Sequence, residues 1–253
     1  MKEESKSVYD FPEIYDIVMK GNKETAFYSS FVSKAKNILY CGSGSGRLLI
    51  EFLKKHPDKN ITGIDENPSM IAECNRRLKD AGLKAEIILG DILSYDFRKK
   101  FDLILMPYAF LNHIKDEGHL LLFKRLKGFM VKDAKIVFDI FSPFFNPRST
   151  DSNLQVDDKK LVKNEEGEFF VEYTYKYDFL DQVMDQITKV DKLEGCAVKN
   201  TMVFTVRFRY FFPKELEGVF ALLDYKTIDK FGDFQKNPIT DLSESLIYVI
   251  SNR

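Results

Sequence analysis

The sequence predicts a doubly wound α/β sheet that carries a small antiparallel β insertion. Over the first 141 of the 253 residues, short apolar runs alternate with segments in which apolar residues recur at helical spacing. This alternation is typical of parallel strands joined by right-handed helical crossovers. In residues 168–178 and 201–210, apolar residues instead recur at every second position, which is typical of antiparallel strands. Ligands of such an α/β sheet bind at the carboxyl ends of its parallel strands.

Seven apolar runs predict the strands of the main sheet. They are residues 38–41, 61–65, 85–90, 101–106 and 135–141, followed near the end of the chain by 225–231 and 245–252. The best-marked helix covers 68–81, because Asn67 can cap it, Pro68 suits its first turn and Gly82 can end it.

The β insertion is predicted over residues 142–212, and the main domain over 1–141 and 213–253. Two segments of the insertion show the two-residue period, 168–178 and 201–210, and 182–193 is the expected middle strand between them. The charged run VDDKKLVKNEEGE precedes them and is typical of a solvated loop.

Composition limits the classes of protein and partner. With 44% hydrophobic and 30% charged residues the chain is globular, and its net charge of −1 argues against a surface for polyanions. Three cysteines without paired spacing predict a reducing compartment, the cytoplasm. The start MKEESKSVYD is charged where a signal peptide is apolar, and the longest apolar stretch, 103–111, is too short to span a membrane. We expect a monomer or homodimer that binds neither nucleic acid nor membrane.

The stretch CGSGSGR predicts a ligand site rather than an ordinary flexible turn. Gly42, Gly44 and Gly46 separate a strand from a helix, where glycines let a ligand approach the main chain. Asp65 ends the next strand 19 residues after Gly46, a spacing at which a carboxylate can accept both ribose hydroxyls. Asp91 ends the third strand, where it can take an adenine amino group. The pattern therefore predicts an adenosine site.

Five motifs together resemble the class I S-adenosylmethionine-dependent methyltransferases. They are ILYCGSGSGR, ITGIDENPSM, GDILSYDF, FDLILMPYAFLNHI and AKIVFDIFSP, in this order. The resemblance implies a Rossmann-like seven-stranded sheet with an antiparallel last strand, S-adenosylmethionine as the cofactor, and no metal.

The resemblance also implies roles for individual residues. The three glycines would pass under the methionine part, Asp65 would hold the ribose, and the adenine would contact Met70, Asp91 and the Ile92 main chain. Tyr15 and Tyr28, in an aromatic N-terminal helix, would fold over the cofactor. Tyr40 departs from the family pattern, which usually has an acidic residue two positions before Gly42.

The segment after the fourth strand predicts the catalytic groups. In the family pattern it lies beside the donor methyl, so Tyr108, Asn112 and His113 are the polar residues expected to face an acceptor. Histidine titrates near neutral pH, which makes His113 the expected general base, with an ionisation near pH 6 to 7. The alternative is a histidine at a helix or loop start that only hydrogen-bonds the backbone. The sequence LMPY lacks the Asn/Asp-Pro-Pro-aromatic motif of nucleic-acid amino methyltransferases. We therefore expect a small-molecule acceptor, with an amine preferred over a hydroxyl.

The insertion resembles the substrate lid of small-molecule members of the family. Two sets of side chains are candidates for a pocket lining: the tyrosines at positions 173, 175 and 177, and the pair Arg207 and Arg209. The same tyrosines can instead simply pack the insertion on the main domain. Two other functions stay open at this point: a non-catalytic cofactor-binding or regulatory protein, which Tyr40 favours, and a nicotinamide-dependent oxidoreductase, which Arg47 in the glycine turn disfavours.

Overall fold

The computed structural model describes residues 7–19, 24–115, 118–142, 155–165, 167–195 and 197–252. Its residues cluster into two compact units. The sheet unit comprises Asn22–Phe145 and Tyr210–Arg253, and the insertion unit comprises Met1–Gly21 and Asn146–Arg209. The sequence-based boundaries place the N-terminal segment in the main domain, whereas in the structure it clusters with the insertion.

The described chain contains eleven strands and six α-helices. The strands are β1 (Asn37–Cys41), β2 (Asn60–Asp65), β3 (Glu86–Leu89), β4 (Phe101–Met106), β5 (Met130–Phe141), β6 (Gln155–Asn164), β7 (Gly167–Asp178), β8 (Val183–Glu194), β9 (Ala197–Arg209), β10 (Tyr225–Phe231) and β11 (Ser245–Asn252). The helices are α1 (Pro12–Val18), α2 (Thr25–Val32), α3 (Arg47–Lys55), α4 (Pro68–Asp80), α5 (Gly118–Gly128) and α6 (Pro213–Leu222). Short 3-10 helices cover Val8–Asp10 and Phe110–His113.

The sheet unit contains a seven-stranded sheet in the order β10-β11-β5-β4-β1-β2-β3. Wherever two of the strands β1 to β5 pair with each other, they run parallel. The last strand, β11, is antiparallel to both β5 and β10. The predicted fold class, with its antiparallel last strand, is therefore confirmed.

Both faces of this sheet are buried, because alternate residues of a central strand enter different apolar clusters. On β1, Leu39 and Cys41 join the cluster that contains residues of α5 and α6. Ile38 and Tyr40 join the cluster that contains residues of α2, α3 and α4. This two-sided burial is the reason that the strands are continuous apolar runs in the sequence.

The insertion unit contains a four-stranded antiparallel sheet in the order β6-β7-β8-β9. The loop predicted for the charged run is wrong, because that run forms most of the edge strand β6. Val162 is buried on β6 and pairs with Phe169 of β7. Lysines suit such an edge, since they discourage pairing with another chain.

One face of the insertion sheet packs on the N-terminal helix. Phe169, Val171 and Tyr173 of β7 share a buried cluster with Ile14 and other apolar residues of α1. The Tyr173 hydroxyl donates a hydrogen bond of 3.0 Å to the Val18 carbonyl. Tyr173 therefore packs the insertion sheet on α1 within the insertion unit.

The arginine pair lies on the other face of the insertion sheet, since side chains alternate along a strand. Arg207 makes two hydrogen bonds, of 2.6 and 2.7 Å, to the Asp185 carboxylate on β8. The tyrosines and the arginines therefore cannot line the same side of this sheet.

Candidate active site

The glycine turn joins β1 to α3 and uses left-handed backbone at each glycine. The φ angles of Gly42, Gly44 and Gly46 are +68°, +52° and +80°. The Gly42 N–H donates to the Ile64 carbonyl at 2.8 Å, and the Gly44 N–H donates to Asp65 Oδ2 at 2.8 Å. These bonds fix the turn against the end of β2.

The space around the turn differs among its glycines. A Cβ at Gly42 would lie 2.4 Å from Phe110 Cδ2, and a Cβ at Gly46 would lie 2.7 Å from Cys74 Sγ. A Cβ at Gly44 would meet no described atom within 4 Å. The middle of the turn therefore has an open side with a bare main chain, which fits the close approach of a ligand.

We expect Gly46→Ala to destabilise the sheet unit more than Gly44→Ala. Both substitutions place a side chain on left-handed backbone, which costs about 1 to 2 kcal/mol. Gly46→Ala also forces a methyl group against Cys74, for a total of roughly 2 to 4 kcal/mol.

Denaturant unfolding measures the loss of stability in both variants. The control is Gly218→Ala within α6, where a Cβ would meet no described atom within 4 Å and alanine should stabilise the helix. Equal losses at Gly44 and Gly46 would contradict the contact with Cys74.

Asp65 lies where the sequence predicts the ribose acceptor, and it also holds the turn together. Its Oδ2 accepts the Gly44 N–H bond, and its Oδ1 accepts a bond of 2.9 Å from the Asn67 N–H. Burial raises the pKa of Asp65, and the main-chain hydrogen bonds oppose that rise. Because an ionised carboxylate has about four acceptor positions, Asp65 retains capacity for a ligand hydroxyl.

The residues predicted to contact adenine follow the ends of β2 and β3. Met70 and Ile92 are 1% and 5% exposed. The Met70 N–H donates to Asn67 Oδ1 at 3.0 Å, so Asn67 caps α4 as expected. Asp91 is exposed, and its Oδ1 accepts a hydrogen bond of 2.8 Å from the Leu93 N–H. The adenine contacts of these residues stay predictions.

Tyr15 and Tyr40 have structural surroundings of their own. Tyr15 belongs to α1 of the insertion unit, where its ring centroid lies 5.5 Å from that of Tyr9. Its cofactor contact stays a prediction. Tyr40 is 2% exposed, and its ring centroid lies 6.3 Å from that of Phe52 of α3. The position that is usually acidic in the family is therefore part of the apolar core.

Asp139, near the end of β5, is a site residue that the sequence analysis missed. Its Oδ1 accepts hydrogen bonds from the Tyr28 hydroxyl and the Tyr108 N–H, and its Oδ2 accepts one from the Ala109 N–H. Tyr108 and Ala109 both have left-handed backbone, with φ of 58° and 53°. Asp139 therefore fixes the strained start of the segment that carries the expected catalytic groups.

Titration of Asp139 should make the stability of the chain fall as the pH rises from about 4 to 7. Burial raises the pKa of Asp139 to about 6. Between about pH 4 and pH 6 the folded state keeps a proton that the unfolded state has lost, so the free energy of unfolding falls by up to about 3 kcal/mol. Denaturant unfolding of wild type and Asp139→Asn across this range isolates the effect. A difference between the two proteins that stays constant with pH would contradict it.

His113 ends the 3-10 helix after β4, and its expected ionisation needs correction. Burial lowers the pKa of His113 to about 4, so the imidazole is neutral at pH 7. Among the residues of this site, burial instead raises the pKa of Asp139 to about 6. Burial also raises the pKa of Tyr108, which therefore stays protonated and can donate a hydrogen bond.

The other two histidines have structural partners. His119 is 3% exposed, and its ring centroid lies 5.2 Å from that of Phe211. His56 Nε2 lies 2.9 Å from the Ser29 hydroxyl oxygen. Within the described ranges, no three His, Cys, Asp or Glu side chains form a group that could hold a metal ion. Nor does any described helix have the length and apolar character needed to cross a membrane.

The fold and the glycine turn define the class of this chain. Residues 38–132 match the family model described as a methyltransferase domain. The chain contains this methyltransferase domain and is an S-adenosylmethionine-dependent methyltransferase, with S-adenosylmethionine as its cofactor. This identification removes the nicotinamide-dependent oxidoreductase that we had kept as an alternative.

Individual methyltransferases resemble most of this chain in sequence or in fold. Malonyl-[acyl-carrier protein] O-methyltransferase 1 of Ilyobacter polytropus is 29% identical over 238 residues, which cover 86% of this chain and 80% of that protein. An S-adenosylmethionine-dependent methyltransferase from Clostridium acetobutylicum has a TM-score of 0.78 at 19% identity, covering 97% of this chain and 98% of its own. CalS10, an amino pentose methyltransferase from Micromonospora echinaspora, has a TM-score of 0.72 at 17% identity, with each chain fully covered.

Proposed function

We propose that this enzyme methylates a small-molecule acceptor in the cytoplasm and prefers an amine to a hydroxyl. The observation that carries the cofactor site is the open side of the turn at Gly44, next to the Asp65 carboxylate. The full-length fold similarity to an amino pentose methyltransferase supports the amine. The relative that methylates malonyl-[acyl-carrier protein] on oxygen supports a second candidate, a carboxylate acceptor.

The cofactor would lie along the carboxyl ends of β1, β2 and β3. Asp65 would hold the ribose, the bare main chain at Gly44 would pass under the methionine part, and Met70 and Ile92 would border the adenine. When bound, S-adenosylmethionine supplies a methyl group on a sulfonium, which is already activated for transfer. The protein then has to align the acceptor and exclude water.

The acceptor would lie against the segment that follows β4. Tyr108 stays protonated, so its hydroxyl suits orientation of the acceptor through a donated hydrogen bond. His113 is neutral at pH 7, so it suits acceptance of a proton from an amine as the nitrogen attacks. Asp139 would keep both residues in place through the Tyr108 and Ala109 N–H groups.

We also propose that the β insertion selects the acceptor as a lid. Tyr173 packs α1, which leaves Tyr177, farther along the same face, as a candidate for the pocket. Tyr177→Ala should change the KM for the acceptor and leave the affinity for S-adenosylhomocysteine unchanged.

Calorimetry and methyl transfer test the proposed function in sequence. Calorimetry with S-adenosylmethionine and S-adenosylhomocysteine should show binding at one site. Transfer of labelled methyl groups is then measured to amino sugars, to the matching hydroxyl sugars and to malonyl thioesters. Faster transfer to the amino sugars supports the proposal, whereas preferential transfer to malonyl thioesters supports the carboxylate acceptor. Binding without transfer to any of the three classes would contradict both.

A further inference from the structure

Three polar side chains from separate segments meet beside the glycine turn. Arg47 is the first residue of α3, and its Cζ lies 4.5 Å from the centroid of the Tyr108 ring. Arg47 Nη2 lies 3.7 Å from Glu24 Oε1. Glu24 directly precedes α2 and is only 7% exposed. The turn that binds the cofactor is therefore bordered by a buried carboxylate and a guanidinium.

The Glu24 carboxylate is incompletely satisfied. A side-chain hydrogen bond with Tyr108 engages the Glu24 carboxylate and adds to burial in raising the pKa of Tyr108, but Glu24 Oε1 is buried and accepts no hydrogen bond from the described residues. The 3.7 Å between Oε1 and Arg47 Nη2 exceeds hydrogen-bond length. A buried carboxylate oxygen without a hydrogen bond is costly, so such atoms in native proteins call for an explanation. A cationic hydrogen-bond donor would satisfy it.

Helix electrostatics do not account for Arg47. The amino end of a helix carries partial positive charge, so a cation in its first turn is unfavourable. Arg47 occupies the first position of α3 nonetheless. Its guanidinium stacks on Tyr108 and lies near Glu24, which places alternating positive and negative charge at the end of the turn.

The amino-acid end of S-adenosylmethionine carries the complementary pair of charges, an α-ammonium and an α-carboxylate. We infer that Glu24 accepts hydrogen bonds from the α-ammonium group and that Arg47 binds the α-carboxylate. This inference rests on the proposed position of the cofactor. In this arrangement the acidic contact comes from Glu24, which lies outside β1. Tyr40, at the β1 position that is usually acidic in the family, belongs to the apolar core.

A comparison of two ligands tests the inference by calorimetry. S-adenosylhomocysteine has the amino-acid end, whereas 5′-methylthioadenosine has the same adenosine and sulfur without it. Glu24→Gln should weaken binding of S-adenosylhomocysteine roughly 10- to 150-fold, because a charge-assisted hydrogen bond is lost. Its affinity for 5′-methylthioadenosine should change by less than about threefold, within the scatter of a surface substitution. The matched control is Glu51→Gln on α3, whose carboxylate forms a surface ion pair with Lys54, and which should change neither affinity.

The outcomes separate the inference from the proposed function. If wild type binds neither ligand, the proposed cofactor site fails. If wild type binds both but Glu24→Gln loses them equally, Glu24 only supports the fold and the inference is overturned. Unchanged binding of both ligands overturns it as well. Should Glu24→Gln fail to fold, Arg47→Gln gives the same comparison, since it should lose affinity for S-adenosylhomocysteine alone.

Discussion

Replacing His113 by alanine should lower the rate of methyl transfer about 100-fold and leave the affinity for S-adenosylhomocysteine unchanged. General bases contribute about 10²- to 10⁴-fold, and a base whose pKa lies well below the working pH contributes at the low end. His113 is such a base, because burial lowers its pKa to about 4. Turnover at saturating cofactor, once the acceptor is known, measures the effect.

The pH profile of the same reaction identifies the group. The imidazole accepts a proton only when it is neutral, so its contribution is present above about pH 4 and is lost as the pH falls through that value. His113→Ala should therefore remove the ionisation near pH 4 and keep one near pH 6, which belongs to Asp139. His56→Ala is the control, since its ring bonds Ser29. A His113 variant with full turnover means that the site works by alignment alone.

Replacing Asp65 by alanine should weaken binding of S-adenosylhomocysteine roughly 10- to 150-fold. The loss comes from the charge-assisted hydrogen bonds to the ribose hydroxyls. Both S-adenosylhomocysteine and 5′-methylthioadenosine contain this ribose, so Asp65→Ala should weaken both ligands. That pattern differs from the one expected for Glu24→Gln.

The structure requires a second variant at this position. Asp65 also accepts the Gly44 and Asn67 N–H bonds, so alanine releases the turn as well as the ligand. Asp65→Asn retains one carbonyl oxygen as an acceptor and should lose less affinity than alanine. Asp58→Ala, a surface carboxylate beside Lys59, is the control. If Asp65→Ala binds S-adenosylhomocysteine with wild-type affinity, Asp65 does not hold the ribose.

The main sheet was predictable because its signals are local. Runs such as FDLILM are apolar throughout and coincide with the observed strand β4. The start of α4 was predictable for the same reason, since Asn67 and Pro68 mark it within two residues. Strand β6 was missed because an edge strand needs few apolar side chains, and its charges look like those of a loop.

The site was only partly predictable, because some of its residues acquire their roles from distant partners. Asp139 stands in the apolar run KIVFDIF, and an acid within a buried strand was the available signal. Its partner Tyr28 lies 111 residues away, which no local pattern reveals. Burial likewise moves the pKa of His113 out of the neutral range, and burial depends on the whole fold.

The insertion unit combines two segments of the chain that are synthesised at different times. Its two segments, Met1–Gly21 and Asn146–Arg209, are separated in the sequence by most of the sheet unit. During synthesis the apolar side chains of Ile14 and Ile17 emerge long before β7 to β9 exist to cover them. Such non-local contacts slow folding, and the apolar surface that stays uncovered meanwhile promotes aggregation.

The main sheet has the same dependence on late residues. Strand β10 joins it through β11, which pairs with both β10 and β5. Neither unit can therefore complete its contacts until the insertion has been synthesised. We expect the nascent chain to depend on chaperones until that point.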